Sequence, residues 1–192
     1  MRNFRNLLFL IGIVPLLSSC GYNTMVQKEE AIAAQWAQVQ SVYQRRADLI
    51  PNLVNTVKGY AEFEKSTLTQ VTEARSKATS VNIDPNKLDE NSLRKFQAAQ
   101  DELKSALSRL LVVVEQYPQL KANQNFLELQ SQLEGTENRI AVERMKFNDL
   151  TRDYNAYIRK FPQIIVARLF GFREKPYFEA ATGAEKAPEV KF

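Results

Sequence analysis

Histidine is absent from all 192 residues, and cysteine occurs once, at position 20. Without histidine there is no Ser-His-Asp or Cys-His nucleophile arrangement, no HExxH zinc site and no Glu-x-x-His di-iron pair. A single cysteine allows neither an internal disulfide nor a thiolate cluster for a metal. The six glycines, at 12, 21, 59, 135, 171 and 183, are too scattered to form a phosphate-cradling loop. Carboxylate-only acid-base work and a Ser-Lys dyad survive these exclusions, but neither has a signature here. The expectation is a protein that is not an enzyme, with no catalytic residues, no cofactor and no metal.

Long apolar runs are also missing. The run from Leu7 to Leu17 covers 11 residues and contains Pro15, whereas a spanning helix needs about 20 apolar residues. Arg2 and Arg5 precede it, and Ser18 and Ser19 stand just ahead of Cys20, which is the three-part layout of a secretory signal peptide over residues 1–19. Leu17-Ser18-Ser19-Cys20 resembles the bacterial lipobox, in which the thiol is acylated before cleavage leaves the cysteine as the new N-terminus. Lipidation of Cys20 is the preferred reading, with membrane lipid as its partner. Two acyl chains suffice for stable anchoring where one does not. An uncleaved signal anchor with a bystander cysteine is the alternative, and a buried apolar cysteine is another. Gly21 after Cys20 is compatible with release to an outer membrane. The expected location is the bacterial cell envelope, facing the periplasm or the exterior.

Charge of one sign is not concentrated anywhere. Removing Arg2 and Arg5 takes two positive charges from the formal +4 and leaves +2. Lys and Arg alternate with Asp and Glu along every segment, so nucleic acid is not an expected partner.

What the sequence has in quantity is helical periodicity. From Phe126 to Phe161, eleven positions alternate steps of three and four, and nine are apolar, broken by Thr136 and Glu143. One helix is expected over 123–161, about 58 Å long at 1.5 Å per residue. Leu93, Phe96, Gln100, Leu103, Leu107, Leu110, Val114 and Tyr117 repeat the spacing until Pro118. The bulk of "LLVVV", 110–114, predicts burial nearly all round. Met25, Ile32, Trp36, Val39 and Tyr43 line one earlier helix, and Val54, Val57, Ala61, Leu68 and Val71 another. Pro51 predicts a break or kink near Asp48–Pro51, and residues 79–91 read as the one substantial loop. The fold class expected is all-α, an antiparallel four-helix bundle with long helices between a signal peptide and a short amphipathic tail.

Arg45–Glu64 ("RRADLIPNLVNTVKGYAEFE"), Glu137–Pro162 ("ENRIAVERMKFNDLTRDYNAYIRKFP") and Gly171–Ala180 ("GFREKPYFEA") resemble the signature stretches of the LemA family. The opening "GYN" and "YPQLKANQNF", 117–126, fit as well. The resemblance covers residues 21–181. It implies a membrane-attached, extracytoplasmic helical bundle with no established enzymatic activity. Many members carry a plain N-terminal transmembrane helix, so the lipobox is a departure. The organisation expected is a signal peptide at 1–19, a LemA-like bundle at 20–181 and a flexible tail at 182–192.

Glu143 interrupts the long seam, and Glu29 and Arg46 interrupt the first helix face. A lone charge in a seam is costly unless paired, and pairing more often fixes register than catalyses. The family stretches add Arg45, Arg46 and Asp48 on one side and Asn138, Arg139, Glu143 and Asn148 on the other. In an up-down-up-down arrangement, Arg46 falls near the level of Glu137 and Glu143, and one of these acids is expected to pair with it. The overall expectation is a non-enzymatic scaffold or interaction module with an envelope protein partner. An enzyme or enzyme-assisting subunit using these polar residues, and a plain spacer, are the alternatives. At the end of the chain, Ile164, Ile165, Leu169, Phe170 and Phe172 with Arg168, Arg173 and Lys175 either cap the core or meet the membrane surface.

Overall fold

The computed structural model describes the backbone of residues 2–59 and 65–179, with side chains from residue 21 onward except Asn86. The side chain of Cys20 and the tail at 182–192 lie outside the described residues. Within them every regular element is helical: α1 (Arg2–Lys58), α2 (Lys65–Ser80), a 3-10 turn (Pro85–Lys87), α3 (Glu90–Val114), α4 (Pro118–Lys121), α5 (Gln124–Arg159) and α6 (Gln163–Phe170). Helix α1 packs chiefly on α5, and α2 on α3. The first pair is antiparallel, because Gln35 meets Glu143 while Arg46, further along α1, meets Glu137. Helix α2 returns along α1 in the same sense, with Gln40 at Asn82 and Ala47 at Arg75.

Pro51 does not end a helix. Helix α1 runs through it, and the break falls instead after Lys58. Lacking an N–H, Pro51 leaves the carbonyl of Ala47 without its usual donor. Arg75 of α2 supplies one, its Nε donating to the Ala47 oxygen at 2.7 Å. Ile50, Leu53, Val54 and Val57 are buried and hold both flanks of solvent-exposed Pro51 in the core. The residues read as a second helix, Val54 to Val71, are thus split between α1 and α2.

Asp89 caps α3 with a reciprocal box, its carboxylate accepting from the Ser92 N–H while Ser92 Oγ accepts from the Asp89 N–H. That cap, and an α2 that persists to Ser80, make the loop between them shorter than the 79–91 expected. Asn123 caps α5 through the Phe126 N–H. Pro118 opens the short α4 rather than ending α3, which stops at Val114. Burial of "LLVVV" is one-sided: Leu110 and Val114 are buried but Val112 is 67% exposed. Helix α3 packs on α2 and touches α4, and no described element covers its outer side. The long seam of α5 buries Phe147 and Tyr154 completely, yet Phe161 lies beyond the helix end and is 81% exposed.

The buried side chains form two apolar clusters. One gathers Leu53, Val57, Val71, Leu103, Leu110 and Phe126. The other gathers Met25, Trp36, Phe96, Phe147, Tyr154 and Phe178. On α1 the division falls between Tyr43 and Ile50, and on α3 between Phe96 and Leu103. Arg46, Gln100 and Thr136 are buried polar side chains at that level.

Candidate functional site

Arg46 is 3% exposed and crosses the gap between the clusters. One guanidinium nitrogen donates to Glu137 Oε2 at 3.0 Å, and the other to Gln100 Oε1 at 2.7 Å and to the Gln100 carbonyl at 3.2 Å. Gln100 in turn donates to the Ala78 carbonyl, and Lys104 donates to Glu137 Oε1 at 2.6 Å. The Tyr43 ring packs 5.1 Å from the guanidinium carbon. Four helices are thereby tied at one level. Burial alone would raise the Glu137 pKa, but Lys104 and Arg46 outweigh it and hold the carboxyl below its ordinary value. Burial pushes the Tyr43 hydroxyl up.

A second polar system lies where a C-terminal segment packs between α5, α3 and α1. After α6, Gly171 takes a left-handed conformation, φ 79°, and turns the chain back as an extended strap over 172–179. Asn155 accepts from the Lys175 N–H at 2.9 Å and donates to the Lys175 carbonyl at 2.9 Å. Asn148 does the same for Phe178, at 2.9 and 3.1 Å. Gln97 of α3 donates to the Glu179 carbonyl, as does Arg144. The register follows from geometry: seven helical residues rise about 10.5 Å and three extended residues about 10 Å. Phe178 is buried, stacked on Trp36 at 5.9 Å with its edge to Phe147, and the Arg144 guanidinium lies 4.7 Å from its ring centre. Lys175 pairs with Glu29 of α1 at 2.6 Å, so the charge that broke the α1 seam is matched from the strap.

The residues singled out in the sequence therefore divide. Arg46 and Glu137 meet. Glu143 does not join them; it accepts from Lys146 at 2.8 Å and Gln35 at 2.7 Å, and these bonds, the Lys146 one foremost, lower its pKa. Arg45, Arg139 and Glu143 border one open depression with Gln38, Ser41 and Val42. Asp48 sits on the outer surface, accepting from Gln44, and Asn138 is exposed on α5. Asn148 belongs to the strap. Gln97, Gln100, Lys104, Arg144 and Asn155 escaped sequence reasoning. For Asn155 the signal was its heptad spacing from Asn148, and for Gln100 its place in the apolar series of α3; the others are ordinary polar residues in helical sequence. Among the described residues no three acids lie together as a metal would need, and no helix is long and apolar enough to cross a membrane.

The LemA family model matches residues 35–192. Magnetosome protein MamQ 2 of Paramagnetospirillum magneticum is 27% identical over 175 residues, covering 82% of this chain and 64% of the relative. Magnetosome protein MamQ of Magnetospirillum gryphiswaldense is 26% identical over 174 residues with the same coverage. Protein LemA of Metamycoplasma hominis is 24% identical over 171 residues, covering 89% of this chain and 74% of the relative. The chain thus spans about two thirds of the MamQ proteins' length, 64%. Since the family model takes in the polar layer, both motif helices and the strap, the chain belongs to the LemA family.

Proposed function

We propose that this protein is a lipid-anchored, non-enzymatic scaffold of the cell envelope that binds a protein partner there. In this reading residues 1–19 are a signal peptide, Cys20 carries the lipid, and α1, α2, α3 and α5 form an antiparallel four-helix bundle. One observation carries it: the polar motif residues inside the fold are already engaged in holding elements together. Arg46 is bound to Gln100 and Glu137, Glu143 to Gln35 and Lys146, and Asn148 to the strap. A general acid or base needs an accessible group with a pKa near its working pH, and hydrogen bonds draw Glu137 and Glu143 the other way. Exposed Arg45 and Arg139 make no ion pair among the described residues and suit an acidic patch on a partner.

Two experiments test the two halves. Cys20→Ser should abolish radiolabelled palmitate incorporation and leave the precursor unprocessed; equal labelling of the variant refutes the lipid anchor. Crosslinking in living cells followed by purification from membranes should recover a stoichiometric protein partner. Charge reversal at Arg45 and Arg139 should reduce that recovery at least severalfold without lowering the melting temperature.

A further inference from the structure

Large apolar side chains exposed to solvent collect at one end of the molecule. Ten are exposed among the described residues, and Tyr22, Phe161, Ile165, Leu169 and Phe170 belong to α6 and its immediate surroundings. Ile165 is 58% exposed, Leu169 77% and Phe170 58%. Of the eight residues of α6 only Ala167 is buried. One face of the helix rests on α1 and α5 through Ala167 and half-buried Val166, and the other presents Ile165, Leu169 and Phe170 outward.

Its position says what those side chains meet. Tyr22 of α1 packs against Phe170 at 5.0 Å and Phe172 at 5.5 Å, and Tyr22 stands two residues after Cys20 and five after the apolar run Leu7–Leu17. The exposed face thus lies beside the start of the mature chain, two residues from the Cys20 assigned to carry the lipid. Charge agrees with position. Helix α6, Gln163–Phe170, contains no acidic residue. Lys160, Arg168 and Arg173 are exposed around it and make no ion pair among the described residues. Lys175 is not part of this set, being held by Glu29. A short helix with an apolar outer face and free cations at its rim is the pattern of a segment seated in an anionic lipid surface.

We propose that α6 is an interfacial helix that inserts Ile165, Leu169 and Phe170 into the surface of an anionic phospholipid bilayer, with Lys160, Arg168 and Arg173 on the headgroups. The proposal rests on the envelope-anchored reading and adds to it a second membrane contact, which fixes the tilt of the helices over the bilayer. A single tether at residue 20 leaves that tilt free.

The test uses the full-length chain with an environment-sensitive fluorescent amino acid in place of Leu169, and a control with the same probe in place of Val112. Val112 is similarly exposed, at 67%, but flanked by Leu110 and Val114 in the distant cluster. On vesicles containing phosphatidylglycerol, emission at position 169 should shift to the blue and be quenched by nitroxide-bearing lipids, while position 112 stays in water. Arg168→Gln with Arg173→Gln, or high salt, should return the 169 probe toward water. Roughly fivefold weaker insertion per basic residue removed is expected, about 1 kcal/mol each. A chain that floats with the vesicles while 169 reads as wet as 112 overturns the interfacial helix and leaves the anchor standing. A chain that stays off the vesicles overturns both. A blue shift without vesicles that grows with protein concentration overturns the proposal in favour of a second copy on this face.

Discussion

Among single residues, Arg46 and Glu137 show how unequal the two ends of one ion pair can be. The arginine side chain is 4% exposed and the glutamate 37%. Glu137 keeps Lys104 and water if Arg46 is removed, whereas Arg46 has no other countercharge if Glu137 is removed. Breaking a buried pair from one side costs roughly 3 to 5 kcal/mol when a buried charge is stranded, and the half-exposed partner reduces that figure here. Glu137→Leu should therefore be the worse single change, near the lower end of that range. Arg46→Met should cost about 1 to 3 kcal/mol, chiefly from the buried Gln100 oxygen left without a donor. The double variant should be more stable than Glu137→Leu alone, because it removes the stranded cation. Urea denaturation of the three variants checks this, and simple additivity would remove the argument. Tyr154 is a different case: its hydroxyl is buried and finds no partner among the described residues, and burial, with Glu29 adding to it, pushes its pKa upward.

For whole elements the strap is the informative case, because two asparagines seven residues apart hold a stretch with no regular structure. Asn155→Ala and Asn148→Ala each strand a buried or half-buried backbone pair, at about 1 to 3 kcal/mol. Phe178→Ala also empties the space between Trp36 and Phe147, for roughly 3 to 5 kcal/mol. Amide exchange should report locally, with Lys175 accelerating in the first variant and Phe178 in the second. Unchanged exchange at both would show that Phe178 and the contacts of Glu179 and Lys175 hold the strap without the asparagines. How far such elements can be read from sequence depends on the range of the forces that make them. Spacing of apolar residues was enough for α5 and α3, whose stabilising contacts repeat every turn. Proline's missing N–H misplaced the break at Pro51, because the donor that rescues Ala47 stands 28 residues away on α2. Arg46 was recognisable as a charge in a seam and Gln100 as a polar residue in another, but that the two meet is invisible until α3 is placed beside α1. The strap was hidden for the same reason: its bonds run between side chains on one element and the backbone of another. Exposure of α6 was undecidable from pattern, since a short, mostly apolar helix serves equally to close a core or to meet a membrane.

Over the whole molecule, the polar layer joins two apolar clusters, so its ionisation should be felt by the entire fold. Glu137 has a folded-state pKa below its ordinary value, and so has Glu143. Below about pH 4.3, the ordinary glutamate value, the unfolded chain takes up a proton that the folded chain still resists. Stability then rises with pH across this window. The contribution is fully present above the ordinary value and is lost as pH falls through the lowered one. Protonating Glu137 also strands the guanidinium of Arg46 between the clusters, which adds the residue-scale penalty to the acid response. The urea midpoint of the unaltered protein should hold steady from pH 7 to 5 and fall between pH 4.5 and 3, as expected of paired carboxylates. Glu137→Gln should start lower at pH 7 and fall less steeply, so that the two curves converge in acid. Asp89, lowered mainly by the Ser92 N–H in the cap of α3, contributes with the same sign in both proteins and cancels in the comparison. Parallel curves for the two proteins would mean that the charge on Glu137 does not couple the clusters, leaving Gln100 and apolar packing to hold Arg46 in place.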